Sequence, residues 1–202
     1  MALSRFQSYV VWEKAFSPEE LDAIEALGDA LELEDAIVGY GGQSEQTEDP
    51  VRSTRIAWMD PTEANSWLYR RLEGVTRSLN EQVYQYHLTG FADPFQYSVY
   101  SSEKNAHFGW HADQFEREIP RKLSFSLQLS DPASYEGGDL EIFGGSTRKP
   151  VAAPRTRGAL IGFPSYVMHR VTPVTSGVRK ALIIWAGGPN FRYALMRMDR
   201  AG

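Results

Sequence analysis

The run Arg121-Lys-Leu-Ser-Phe-Ser-Leu-Gln-Leu-Ser130 alternates without a break. Leu123, Phe125, Leu127 and Leu129 fall on one parity, and Lys122, Ser124, Ser126, Gln128 and Ser130 on the other. Successive side chains of an extended chain point to opposite faces, so the run reads as a half-buried strand with an apolar side for a packed layer. Its polar side has two readings, a solvated surface or the lining of a pocket, and alternation alone does not choose between them.

A short way upstream lies Gly109-Trp-His-Ala-Asp113. On a strand, His111 and Asp113 project from one side, so an imidazole and a carboxylate at this spacing can close on one metal ion. A lone His-x-Asp pair is common by chance, so the reading needs a third donor elsewhere in the chain. His169, in the β-type run Val167-Met-His-Arg-Val171, is the best candidate. Two histidines and one carboxylate with open positions is the pattern of non-haem Fe(II) oxygenases. His107 shares strand parity with His111 and is the rival ligand. Arg179 stands ten residues after His169. If residues 172–177 turn a hairpin, the flanking strands bring His169 and Arg179 together across the ladder. An oxo-acid chelating the metal at one end then sets its far carboxylate against a guanidinium suited to paired hydrogen bonds.

With His111-x-Asp113, the run from Arg121 to Asp131, Tyr135-Glu-Gly-Gly-Asp-Leu140 and His169-Arg-Val-Thr-Pro-Val-Thr-Ser-Gly-Val-Arg179 in this order, the chain resembles the Fe(II)/2-oxoglutarate-dependent oxygenases. The branch is the prolyl 4-hydroxylase-like (PKHD-type) one, and the resemblance runs from about Phe95 to Pro189. It implies a mainly β fold with supporting helices around a double-stranded β-helix (jelly-roll, cupin-like) core. It also implies His111, Asp113 and His169 as iron ligands, Arg179 as the 2-oxoglutarate carboxylate binder, and Fe(II) and 2-oxoglutarate as cofactor and co-substrate, with ascorbate an optional addition. The polar face of the 121–130 strand then lines the pocket with Ser124, Ser126 and Gln128. In the family a tyrosine often stands three residues before the first ligand, where this chain has Phe108, so the contact passes to Tyr100 or Tyr97. The implied reaction is hydroxylation of an amino acid, a prolyl or lysyl residue of a peptide, or a related small molecule, with release of succinate and CO2. The presence of Asp113 disfavours halogenation. Two other classes stay open: a zinc hydrolase using the same ligands, which has no need of Arg179, and a non-catalytic 2-oxoglutarate-sensing or binding module.

Outside the core the chain reads as support. Its 202 residues, 42% hydrophobic, suffice for one well-buried core, so residues 1–202 are expected to form one domain, with helices and a loop to about residue 94 and the β-helix over about 95–189. A net charge of -5 without a Lys/Arg run argues against nucleic acid or an anionic membrane as partner and leaves a small molecule or peptide. It says nothing of oligomeric state. The absence of cysteine excludes disulfides and thiolate metal sites. Neither a signal-like start nor an 18-residue apolar run is found, and a cytoplasmic location is expected. Residues 8–16 suggest an edge strand, and Ser17-Pro18-Glu19-Glu20 a capped helix start. Residues 52–58 suggest a strand and Thr62 to about Tyr86 a helix with His87 at its end. Residues 39–50, glycine-rich and acidic, suggest a lid. It leads into Arg52 and Arg55, which are either surface residues or contacts for a substrate carboxylate.

Overall fold

The structure is a computed structural model that describes residues 8–36, 52–114, 118–143 and 149–190. The proposed lid, residues 39–50, lies outside them. In chain order the elements are β1 (Val10–Trp12), α1 (Pro18–Asp29), β2 (Glu34–Asp35), β3 (Arg52–Ser53), β4 (Arg55–Met59), α2 (Ser66–Leu79), β5 (Gly90–Phe91), β6 (Phe95–Ser101), β7 (His107–His111), β8 (Arg121–Gln128), β9 (Tyr135–Gly137), β10 (Leu140–Phe143), β11 (Pro150–Ala152), β12 (Leu160–Pro164), β13 (His169–Val171) and β14 (Val174–Gly187). All pairings among them are antiparallel, in two sheets. The major sheet runs β1-β12-β8-β14-β6-β4-β2, with β5 and β9 also on β14, and the minor sheet runs β11-β10-β13-β7-β3. This is the double-stranded β-helix sandwich with helices on its outside that the resemblance implies.

The alternation in β8 is what separates the two layers of core. Leu123, Phe125, Leu127 and Leu129, at most 1% exposed, face the helices together with Leu21 and Ile24 of α1 and Leu68, Leu72 and Val75 of α2. Burying such side chains stabilises by roughly 1.5–3 kcal/mol each. Gly162 lies opposite Phe125 in register, and a Cβ there would stand 2.8 Å from the Phe125 ring, so the bare backbone is what admits the phenyl. The other parity of β8 faces the space between the sheets. The far part of that space is filled by Tyr135, Ile142, Ile161, Phe163, Val171 and Val174.

The helix start at Ser17 forms the full capping box. Glu20 N donates to Ser17 Oγ at 3.2 Å, and Ser17 N donates to Glu20 Oε2 at 2.8 Å. Three expectations need correction. The second helix is shorter than 62–86, because Asn65 closes a turn first, accepting from Thr62 N and donating to Asp60 O. At its other end the helix passes into a π-type turn, Asn80–Tyr84, stopped by the left-handed Gln85 (φ 54). Residues 52–58 form two strands in two different sheets, broken at Thr54, whose hydroxyl donates to His107 O at 3.2 Å. Residues 172–177 do not turn a hairpin: β13 pairs with β7 and β10, and β14 starts beside β9. The chain crosses from the minor to the major sheet around Pro173, so His169 and Arg179 belong to different sheets and are not neighbours across a ladder.

Candidate metal centre and co-substrate pocket

The minor sheet builds the donor cluster through an irregular pairing. His111 stands opposite His169, while Val171 stands opposite Phe108, so three steps of β7 answer two of β13. This bulge breaks strand parity. It puts Phe108 on the same side as His111, the two rings stacked at 3.5 Å and 15°, and leaves His107 out of the cluster, its Nδ1 3.1 Å from Asn105 O. The rival-ligand reading of His107 fails on this geometry, since the parity argument assumed a regular strand.

Asp113 follows the end of β7 and is anchored through its backbone, its N–H donating to Ser165 O at 2.8 Å. Its carboxylate lies between the two imidazoles, Oδ1 3.7 Å from His111 Nε2 and Oδ2 3.5 Å from His169 Nε2. One donor atom from each of the three residues lies within 4.8 Å of the others. Each histidine places Nδ1 on a carbonyl two residues back, Gly109 O at 2.8 Å and Val167 O at 3.0 Å. A carbonyl can only accept, so Nδ1 carries the proton and Nε2 turns a lone pair inward. Ser124 Oγ donates to Asp113 Oδ2 at 2.6 Å and sits 2.9 Å from Ser165 Oγ. Burial, reinforced by the neighbouring His169, pushes the His111 pKa down to about 4. Burial alone would raise the Asp113 carboxyl, but the two histidines and the Ser124 hydrogen bond outweigh it and hold the group below the ordinary range. Two imidazoles and one carboxylate arranged in this way are what a divalent ion binds.

The major sheet supplies the candidate co-substrate binder. Arg179 of β14 is 1% exposed and turns inward. Its Nη2 donates to Gln128 Oε1 at 2.9 Å, while Nε and Nη1 are buried without a hydrogen-bond partner among the described residues. Gln128 in turn donates to Ser126 Oγ at 3.1 Å. Tyr100 lies opposite Arg179 in register, with its ring centroid 5.1 Å from the guanidinium carbon. Gly138, left-handed at φ +64, passes so close that a Cβ would stand 3.0 Å from Arg179 Cδ. A buried guanidinium with two nitrogens unpartnered among the described residues is costly unless an anion completes it, and the far carboxylate of 2-oxoglutarate matches that need. The residues present therefore fit both the metal and the oxo-acid.

Tyr100, Ser126 and Gln128 gather around Arg179, but Tyr97 does not. Its hydroxyl donates to Asp29 Oδ1 at 2.6 Å and its ring packs under Gly28 of α1, because odd positions of β6 face the helices. Phe108 and Ser165 were not legible as site residues. Of the two arginines that follow the proposed lid, Arg52 stands at the site. It lies opposite Phe108 in register and lays its guanidinium carbon 4.4 Å from that ring's centroid. A separate open cleft of about 510 Å³ beside α1 is lined by Asp22, Glu25, Arg157 and Lys180, whose charges pair with one another.

A sandwich with this donor set has the pattern of non-haem Fe(II) oxygenases, and the comparisons point the same way. The profile of the 2OG-Fe(II) oxygenase superfamily matches residues 95–187. Among curated relatives, a PKHD-type hydroxylase of Synechococcus sp. (strain CC9605) is 43% identical over 89 residues, 43% of this chain and 39% of the relative. The PKHD-type hydroxylase YbiX of Escherichia coli O157:H7 is 40% identical over 89 residues, 41% of this chain and 38% of the relative. The matched stretch thus spans about two fifths of those proteins. Among solved structures, a Pseudomonas putida prolyl-4-hydroxylase superposes with TM-score 0.70 at 23% identity, covering 91% of this chain and 94% of that one. A Trichoplax adhaerens prolyl hydroxylase, solved with a hypoxia inducible factor oxygen degradation domain peptide, superposes at 0.74 and 16% identity, covering 90% and 84%. Residues 95–187 are thus similar to the 2OG-Fe(II) oxygenase superfamily, and the chain is similar in part to PKHD-type hydroxylases.

Proposed function

We propose that the protein is an Fe(II)- and 2-oxoglutarate-dependent hydroxylase of an amino acid, a prolyl or lysyl residue in a peptide, or a related small molecule. The reading is carried by the His111–Asp113–His169 cluster, linked through Ser124 and Gln128 on one face of β8 to the buried Arg179, whose Nε and Nη1 have no partner among the described residues. When bound, iron and 2-oxoglutarate supply the oxidising chemistry: dioxygen gives one atom to the substrate C–H bond and one to succinate, with loss of CO2.

The chain's own residues hold and orient. His111 and His169 offer Nε2, and their Nδ1 hydrogen bonds fix ring orientation. Asp113 completes the set, its carboxylate oriented by Ser124. Arg179, steadied by Gln128, takes the far carboxylate of 2-oxoglutarate, with Tyr100 and Ser126 beside it. Phe108 and Phe163 shield the imidazoles from water. A zinc hydrolase would gain nothing from a buried cation at Arg179, and a silent binding module has no need of all three donors. The site as built carries both features, which favours the hydroxylase. Among the described residues no helix is long and apolar enough to cross a membrane.

The test is a screen of amino acids and peptides for substrate-stimulated succinate formation with Fe(II) and 2-oxoglutarate. Formation of succinate that depends on Arg179 and on each donor supports the proposal. Hydrolysis by the zinc-loaded protein without 2-oxoglutarate would replace it.

A further inference from the structure

Strand β14 turns more than Arg179 into the sandwich. Arg179, Ala181, Ile183 and Trp185 alternate with Lys180, Leu182 and Ile184, which face the helices. Trp185 is 5% exposed and stands opposite Ser124 in register, the residue whose hydroxyl donates to Asp113 Oδ2 at 2.6 Å. Its Nε1 is covered from solvent and has no hydrogen-bond partner among the described residues. The group it approaches is the Asp113 carboxyl. Burial pushes that carboxyl up, and Trp185 stands with His169, His111 and Ser124 among the groups that outweigh the burial. Arg121 lays its guanidinium carbon 3.6 Å from the centroid of the Trp185 ring and is itself fixed by Asp93, its Nε donating to Oδ2 at 2.8 Å. Trp58 packs against the same indole, tilted, at 6.1 Å.

We propose that Trp185 is a positioning residue of the metal centre, its indole N–H the second donor, beside Ser124, that holds the Asp113 carboxylate toward the two imidazoles. The proposal rests on the metal-centre part of the hydroxylase reading. An indole N–H can only donate, and leaving it buried without an acceptor is costly. Sealed from water, it can be completed only by an acceptor already inside the protein. A carboxylate has the capacity: of its roughly four lone-pair sites, Ser124 occupies one and a metal bond would take another. A cation held over the indole face draws on the ring's π electrons and makes the N–H a stronger donor, while the Asp93–Arg121 pair fixes the ring's orientation. One strand then serves both halves of the site, Arg179 for the co-substrate and Trp185 for the metal ligand.

The test is a double-mutant cycle on the full chain, read as the dissociation constant of Zn(II) alone. Trp185→Phe keeps an aromatic ring under Arg121 and removes the N–H. It should weaken Zn(II) binding by about tenfold, as the loss of an outer partner of a metal ligand does. In an Asp113→Asn background the same change should cost less than about twofold, since the interaction it removes is already gone. A ring needed only for packing would weaken both backgrounds alike, and that result, or native affinity in Trp185→Phe, overturns the proposal. A second measurement needs no variant at Trp185. In protein labelled with 15N at its five tryptophans, the Trp185 indole proton is assigned through its own backbone signals. In the Zn(II)-loaded native chain it should resonate further downfield than in Zn(II)-loaded Asp113→Asn, because a charged acceptor makes the stronger hydrogen bond; coincident positions overturn the proposal. The remaining indole signals, unmoved, show that each variant is folded. If native protein binds no Zn(II), the metal-centre reading and this proposal fall together. If it binds Zn(II) and the cycle shows no coupling, this proposal alone falls.

Discussion

Replacing Arg179 by Met keeps the buried stem and removes the charge, and it should act in opposite directions on the empty and the loaded protein. In the ligand-free protein the guanidinium is 1% exposed and donates to Gln128, and among the described residues Nε and Nη1 have no partner. Removing a desolvated charge that lacks an ion-pair partner is neutral or stabilising in such settings, so the melting temperature of the ligand-free variant should not fall. The loaded protein loses two charge-assisted hydrogen bonds of roughly 1.5–3 kcal/mol each. The Kd for 2-oxoglutarate should rise by about a hundredfold or more. The assay is thermal unfolding of the Mn(II)-loaded protein with 2-oxoglutarate at about a hundred times the native Kd. Such an excess stabilises by about 2.7 kcal/mol, or roughly 5–10 °C for a chain of this size. The native protein should show that shift and Arg179→Met should show almost none. A full shift in the variant would refute the placing of the co-substrate carboxylate at Arg179.

Ala at His111, Asp113 or His169 should each abolish stoichiometric Mn(II) or Co(II) binding by calorimetry, whereas His107→Ala should leave it near native; retained affinity in any of the three removes that residue from the donor set. The His111 pKa, depressed to about 4, means the unfolded chain takes up a proton that the folded chain refuses between about pH 6.5 and 4. Stability of the metal-free protein should therefore be full above pH 6.5 and fall through that window, and the urea midpoint should lose part of this slope in His111→Asn. A slope identical to the native one would show that burial of His111 does not drive it. Tyr97→Phe removes a hydroxyl bound to Asp29 and should cost about 1 kcal/mol of stability with unchanged 2-oxoglutarate affinity; weakened 2-oxoglutarate binding by this variant would return Tyr97 to the pocket. Gly138→Ala forces a left-handed residue, costing about 1–3 kcal/mol, and presses a methyl on Val174 and Arg179; it should weaken 2-oxoglutarate binding as well as lower the melting temperature, and an unperturbed affinity counts against Gly138 shaping the pocket.

The legible parts of the sequence were those with regular periodicity. The unbroken alternation of 121–130 marked the strand and its helix-facing leucines, the family resemblance turned Ser124, Ser126 and Gln128 inward, and Ser17 to Glu20 marked the first helix start down to its cap. The illegible parts lay where regularity is interrupted by contacts distant in sequence. The bulge in β7 depends on pairing with β13, about sixty residues on, and nothing within 107–111 announces it. Parity counting therefore kept His107 and overlooked Phe108. Tyr97 and Tyr100 differ by three positions, so opposite faces were implied once the strand was granted. Deciding which face held the cavity needed the position of α1, whose Asp29 takes the Tyr97 hydroxyl. The 172–177 turn failed for a related reason: hairpin and sheet-crossing connections use the same Pro, Gly and Thr chemistry, and only the partners of β14 distinguish them.

The division of the site between the sheets explains why its residues are so scattered along the chain. His111 and His169 face each other within the minor sheet, while Arg179, Gln128 and Ser126 belong to the major one. Asp113 joins the two: it continues from β7, yet its carboxylate is held by Ser124 of β8 and its N–H by Ser165, just beyond β12. The donor cluster is therefore complete only when the sandwich is closed, and the apolar layer of Ile142, Ile161, Phe163 and Val174 that closes it also sets the separation between donors and guanidinium. Close-packed interiors shift little when one side is loaded, so metal and oxo-acid meet a gap fixed by the core and not by the ligands.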